Sequence, residues 1–168
     1  MIMSQAEFSA LLKKNPQLKV HVDEALTVEK TETVKNPKYW NVPVYIYEDG
    51  TVSELKTEEM HGKIVESFDS RREYIRYLNL TLLQKAGKIS DLTRQTTLEI
   101  APKTVYRGEI IRAITYRADF TYMQNGEYVV EDVKGYDTKT GKHRSTAEFK
   151  LKWKLLKGKY PQWRFEIF

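Results

Sequence analysis

Residues 113–136 read AITYRADFTYM, then QNGE, then YVVEDVKGY, and the rest of the chain is organised around them. The first run alternates. Ile114, Tyr116, Ala118, Phe120 and Tyr122 fall on one face, and Thr115, Arg117, Asp119 and Thr121 on the other. Period-two alternation in β-branched and aromatic residues predicts a half-buried strand. Asn125-Gly126 predicts a two-residue hairpin turn, because a type I′ turn needs positive φ at both central positions. With those residues at the turn, Gln124 faces Glu127, Asp119 faces Asp132 and Arg117 faces Lys134. All four charges then share one face.

Two carboxylates directly across a strand pair destabilise it, and they cannot both ionise cheaply. A divalent cation between them removes the conflict, and hard oxygen ligands suit Mg²⁺ or Mn²⁺. Lys134, two residues beyond Asp132, stays on that face, where an ammonium can orient an attacking water or neutralise a phosphate. A solvated face of mixed charge is the plainer reading of such a hairpin. The register, the sign pattern and the apolar reverse face together favour a site.

Asp119, followed by Asp132-Val133-Lys134, resembles the PD-(D/E)XK nuclease signature, with Ala118 standing where the name has proline. The resemblance extends to FDSRREYIRYLNLTLLQKAGKISDL, ITYRADF, VVEDVKG and KWKLLKGKYPQWRFEI, which look like a family of small phage and prophage proteins with this nuclease core. It covers Met60 to Phe168, with a weaker echo at Lys38–Asn41. The resemblance implies an α/β fold: a restriction-endonuclease-like αβββαβ core with a mixed sheet flanked by helices. It also implies a Mg²⁺-dependent endonuclease, Mn²⁺ being a substitute, that hydrolyses DNA phosphodiesters. Asp119, Asp132 and Glu73 would hold the metal with the Val133 carbonyl, and Lys134 would complete the catalytic set. Resolvase-like members act on branched DNA as homodimers, so branched or recombination-intermediate DNA is the first expected substrate. The alternative is a catalytically inactive, nucleic-acid-binding phage accessory protein on a degenerate nuclease fold.

The 168 residues are 40% hydrophobic and 12% aromatic, which fits a globular chain with a real core. No apolar run reaches the roughly 20 residues of a membrane span, and no secretion signal is visible at the N-terminus. With no cysteine and three scattered histidines, thiolate and zinc sites are not expected. A cytoplasmic protein is expected, and the phage resemblance implies a bacterial host. The net charge is +5, but residues 134–168 hold ten Lys/Arg against three Asp/Glu. A basic segment starting at Lys134 predicts a polyanion over that end, with Arg117, Lys139, Lys142, Arg144, Lys150, Lys154 and Lys157 as the expected contacts.

Along the chain, residues 4–14 predict a short helix and Tyr39–Tyr47 a β segment, restricted to a sheet edge by Pro43. Glu54–Met60 predicts a loop or helical turn. Residues 1–60 are therefore expected to be an N-terminal extension, and residues 61–168 the nuclease-like domain. Residues 70–86 predict the clearest helix, with Ser70 and Glu73 as a capping box, a role that competes with metal binding for Glu73. Ile89–Ile100 predicts a strand and Ala101–Glu109 a turn or loop. Tyr136–Lys142 predicts a polar loop. Ser145 with Glu148 predicts a capped helix to Lys157, with Phe149, Trp153 and Leu156 on its apolar side and Leu151 and Leu155 beside them. Trp163, Phe165 and Ile167 alternate as a last strand.

Overall fold

The computed structural model describes Lys13 and residues 42–168 except Thr138. Apart from Lys13, the predicted first helix lies outside the described residues, as does the start of the predicted β segment at 39–41. The chain divides into two compact units, Met1–Leu82 and Leu83–Phe168.

In the first unit, β1 (Val44–Tyr47) lies between β2 (Val52–Ser53) and β3 (Ile64–Phe68), antiparallel to both. The strand predicted for an edge is therefore central. Pro43 just precedes it, so its missing N–H removes no bond from the ladder. A short helix, α1 (Glu58–His61), joins β2 to β3. The boundary expected at residue 60 falls inside this sheet, because β3 pairs with β1. Helix α2 (Arg71–Lys85) follows, and Val44, Phe68, Tyr74 and Leu78 form one buried cluster. The spacing of Tyr74, Leu78 and Leu82 puts all three on one buried face, as the 3.6-residue period requires.

The second unit holds a four-stranded mixed sheet in the order Arg164–Ile167, Glu127–Asp132, Ile114–Gln124, Ser90–Ala101. β4 (Ser90–Ala101), β7 (Ile114–Gln124) and β8 (Glu127–Asp132) are antiparallel neighbours, and β11 (Arg164–Ile167) lies parallel to β8. The Asn125-Gly126 turn forms with φ of 52° and 82°, and the register runs from Gln124↔Glu127 to Phe120↔Glu131 as predicted. The predicted loop at 101–109 is instead a hairpin, β5 (Thr104–Tyr106) with β6 (Glu109–Ile111). The predicted polar loop at 136–142 also contains a ladder, β9 (Tyr136–Asp137) with β10 (Lys142–His143).

Helix α3 (Ala147–Lys159) begins one residue later than predicted. Thr146 is the N-cap, its Oγ1 accepting from the Phe149 amide at 3.1 Å. Glu148 pairs with Lys152 instead of closing a capping box. Phe149, Trp153 and Leu156 bury against Leu98, Ala118 and Val130, each large apolar side chain contributing about 2 kcal/mol. Leu151 and Leu155 are exposed, so the apolar stripe is narrower than the sequence implied.

Strict alternation fails at one place, and the site depends on it. Val130 pairs with Thr121, so a regular β7 would put Ala118 on the sheet face opposite Val130. Ala118 nevertheless shares the α3-side core with Val130, and Thr96, the ladder partner of Ala118, bonds the Thr121 hydroxyl at 2.8 Å. The strand therefore turns over at Asp119. Opposite that point Gln95 has a φ of 55°, and the pairing passes from Arg94↔Phe120 to Thr96↔Ala118 without it.

Candidate active site at the end of strand β8

The turnover in β7 brings Tyr116 to the same face as Asp132, next to α3. Asp132 is only 2% exposed. A carboxylate that deep costs several kcal/mol unless it is paired and hydrogen-bonded. Both of its oxygens are engaged: the Tyr116 hydroxyl donates to Oδ1 and the Lys134 ammonium to Oδ2. That ammonium also lies 4.5 Å from the centre of the Phe149 ring, a favourable placement for a cation over a π face.

Asp119 does not enter the ladder opposite Asp132. Its Oδ2 accepts from the Val133 amide at 2.7 Å, which pins the chain as it leaves β8. The two carboxylates still converge on one group. The Tyr116 phenol pKa is pushed far up, first by burial, then by the negative charge and hydrogen bond of Asp132, and then by the charge of Asp119. Beyond β8, the Lys134 amide donates to the Phe168 carbonyl and the Phe168 amide to the Asp132 carbonyl, fixing the lysine backbone to the end of β11.

Asp119, Asp132 and Lys134 are thus brought together, but not on the face or by the pairing that the sequence implied. Asp132 projects toward the aromatic core instead of away from it. Lys134 lies past the end of β8 and is not the ladder partner of Arg117, which is exposed and pairs with Thr97. Sequence reasoning placed Tyr116 only in an apolar row. The strand turnover that turns its hydroxyl into a ligand of Asp132 leaves no mark in the alternation. Glu131 was missed as well: it is 1% exposed and accepts from the Tyr122 hydroxyl at 2.8 Å.

Glu73 belongs to the first unit. It is 3% exposed, its amide donates to Ser70 Oγ at 3.1 Å, and its Oε2 accepts from the Asp69 amide at 3.2 Å. Those bonds satisfy orphan donors at the start of α2, and an acidic residue there complements the helix dipole.

The donor set suits a hard divalent cation: two carboxylates, with the Val133 carbonyl between Asp132 and Lys134 in the chain. Among the described residues no group of three His, Cys, Asp or Glu side chains is gathered as a metal site. The second unit therefore offers a two-carboxylate arrangement. Arg117, Lys139, Lys142, Arg144, Lys150, Lys154 and Lys157 are all exposed. Lys152 and Lys159 are held by Glu148 and Glu99, whereas Lys150, Lys154 and Lys157 meet no carboxylate among the described residues.

Residues 54–166 match the sequence profile of a family described as a protein of unknown function (DUF1064). The chain belongs to the DUF1064 family. The match covers about two thirds of the sequence and takes in Glu73, Asp119, Asp132, Lys134 and helix α3. No curated protein matches this DUF1064 chain. Among its described residues, no helix is long and apolar enough to cross a membrane.

Proposed function

We propose that the chain is a metal-dependent endonuclease of the PD-(D/E)XK type that hydrolyses DNA phosphodiesters. The observation that carries this reading is the convergence of Asp119, Asp132 and Lys134 at the end of β8. The order of major elements from α2 onward (helix, strand, hairpin, helix, strand) corresponds to the αβββαβ core of that superfamily. A cation held by Asp119, Asp132 and the Val133 carbonyl would lower the pKa of a bound water and offset charge developing at phosphorus.

The chain's own residues supply the rest. The Val133 amide orients the Asp119 carboxylate, and the Tyr116 hydroxyl orients that of Asp132. Lys134 donates to the attacking water and to a phosphate oxygen, a charge-assisted bond stronger than a neutral one. The exposed cations of 139–157 hold backbone phosphates and set register without reading sequence. The substrate we put first is branched DNA cut by a homodimer.

A second reading is favoured by one observation: both oxygens of Asp132 are already engaged, by Tyr116 and Lys134. A carboxylate so satisfied suits a binding protein that no longer cuts. Incubation with supercoiled plasmid, linear duplex, single strands and a four-way junction, each with Mg²⁺, Mn²⁺ or EDTA, separates the two. The nuclease gives metal-dependent cleavage that drops about a thousand-fold or more in Asp119→Asn and Asp132→Asn, with DNA binding retained. Binding without cutting under every condition establishes the second reading. Cleavage at the parental rate by Asp132→Asn removes the assignment.

A further inference from the structure

The hairpin between β4 and β7 stands where the sequence predicts a turn or loop. Ala101 pairs with Ile114, and the pairing resumes at Thr104↔Ile111, Val105↔Ile110 and Tyr106↔Glu109. The sum of paired residue numbers does not change across the gap, so β5 and β6 continue the β4–β7 ribbon in register. Arg107 and Gly108 close it with φ of 47° and 85°, a two-residue turn matched to strand twist. Every residue from 102 to 113 is exposed, so both faces of this ribbon meet solvent. At about 3.4 Å per residue it projects some 15–20 Å.

A two-stranded ribbon of this kind is marginal in water, and one carrying exposed aliphatic residues invites aggregation. Val105 is 64% exposed and Ile110 61%. The charges indicate what covers them. The segment holds Lys103, Arg107 and Arg112 against a single acid, Glu109. Continuing the register puts Lys103 and Arg112 at the same step, where like charges repel without a counter-anion. Arg107 lies over the Tyr106 ring at 5.5 Å, and none of the three cations meets a carboxylate among the described residues. The same strand carries Asp119, five residues beyond Ile114.

We propose that residues 102–113 are an arm that enters a groove of double-helical DNA. A two-stranded β-ribbon fits the major groove, where Val105 and Ile110 would meet apolar base edges while Lys103, Arg107 and Arg112 meet flanking phosphates. The choice of polyanion rests on the nuclease reading; the arm itself does not.

The test uses the full chain in EDTA and a fluorescent duplex of about 20 base pairs, followed by anisotropy across a salt series. One variant replaces residues 102–113 with Asn-Gly, which closes Ala101 onto Ile114 across the existing ladder. A second, Lys103→Glu with Arg107→Glu and Arg112→Glu, keeps the ribbon and decides the matter if the deletion does not fold. Both are expected to weaken binding at least about tenfold and to lower the slope of log affinity against log salt by about 2–3. Unchanged affinity and slope in the triple variant overturn the proposal. So does sedimentation in which loss of the arm converts a dimer to a monomer at unchanged DNA affinity. A parent chain that binds through the arm but cuts nothing leaves the arm standing and overturns the nuclease.

Discussion

The second unit contains two hairpins closed by almost the same device. Asn125-Gly126 and Arg107-Gly108 both hold two consecutive residues at positive φ, and both follow β-branched and aromatic runs. Their environments are inverted. The β7–β8 hairpin buries Glu131 and Asp132, whereas β5–β6 exposes Val105, Tyr106, Ile110 and Ile111. Burial here follows what packs on the ribbon, not how apolar the ribbon is. Helix α3 and strand β11 cover the first, and nothing among the described residues covers the second. The buried charges are tolerated because each has a partner: Tyr122 for Glu131, and Tyr116 with Lys134 for Asp132.

The comparison is broken most forcefully by Lys134→Met. This leaves Asp132 buried with only Tyr116, and we expect a loss of about 3 kcal/mol in urea unfolding, beside abolished cleavage. An unchanged stability means that Asp132 does not depend on the lysine.

Tyr116→Phe is expected to cost about 2 kcal/mol at neutral pH, because it removes a hydrogen bond to a charged group. The phenol's pKa is raised in the folded state above its unfolded value near 10, so the folded state keeps the proton longer. Stability from that proton is complete below pH 10 and declines as pH rises beyond it. The parent therefore loses stability above pH 10 faster than the variant, and the gap between them narrows. A gap that stays constant above pH 10 would show that burial and Asp132 do not hold the proton on the phenol.

Gly126→Ala and Gly108→Ala impose the same backbone strain with open space around the added methyl. We expect the first to cost about 1.5 kcal/mol globally and the second almost nothing, because the arm opens locally without the core. Equal costs would make the arm part of the cooperative unit. The smallest effect sharpens the border of α3: Thr146→Ala costs about 1 kcal/mol, and Ser145→Ala stays near zero.

Legibility followed the range of the interactions. The Asn125-Gly126 turn, its register as far as Phe120↔Glu131, helix α2 and the final strand were all written in local spacing. The cap of α3 was misplaced by one residue because Ser145 and Thr146 are chemically equivalent caps. Pro102 and Gly108 predict a loop at 101–109, because they are loop residues wherever strand continuity is invisible. The face assignment of Tyr116 failed because alternation assumes an unbroken pleat, and the turnover at Asp119 breaks it.

By itself the sequence determined that an acidic residue in one strand, Asp119, and an acid with a lysine two residues later in the next, Asp132 and Lys134, would lie near one another. A tight turn with a fixed register makes that a local consequence. Only the tertiary structure decided which face they occupy, that Tyr116 joins them, and that the Arg107 hairpin stands clear of the core. Those outcomes depend on a distant helix packing on one face of the sheet and on Gln95 adopting positive φ across from Asp119. No window of a few residues carries that information.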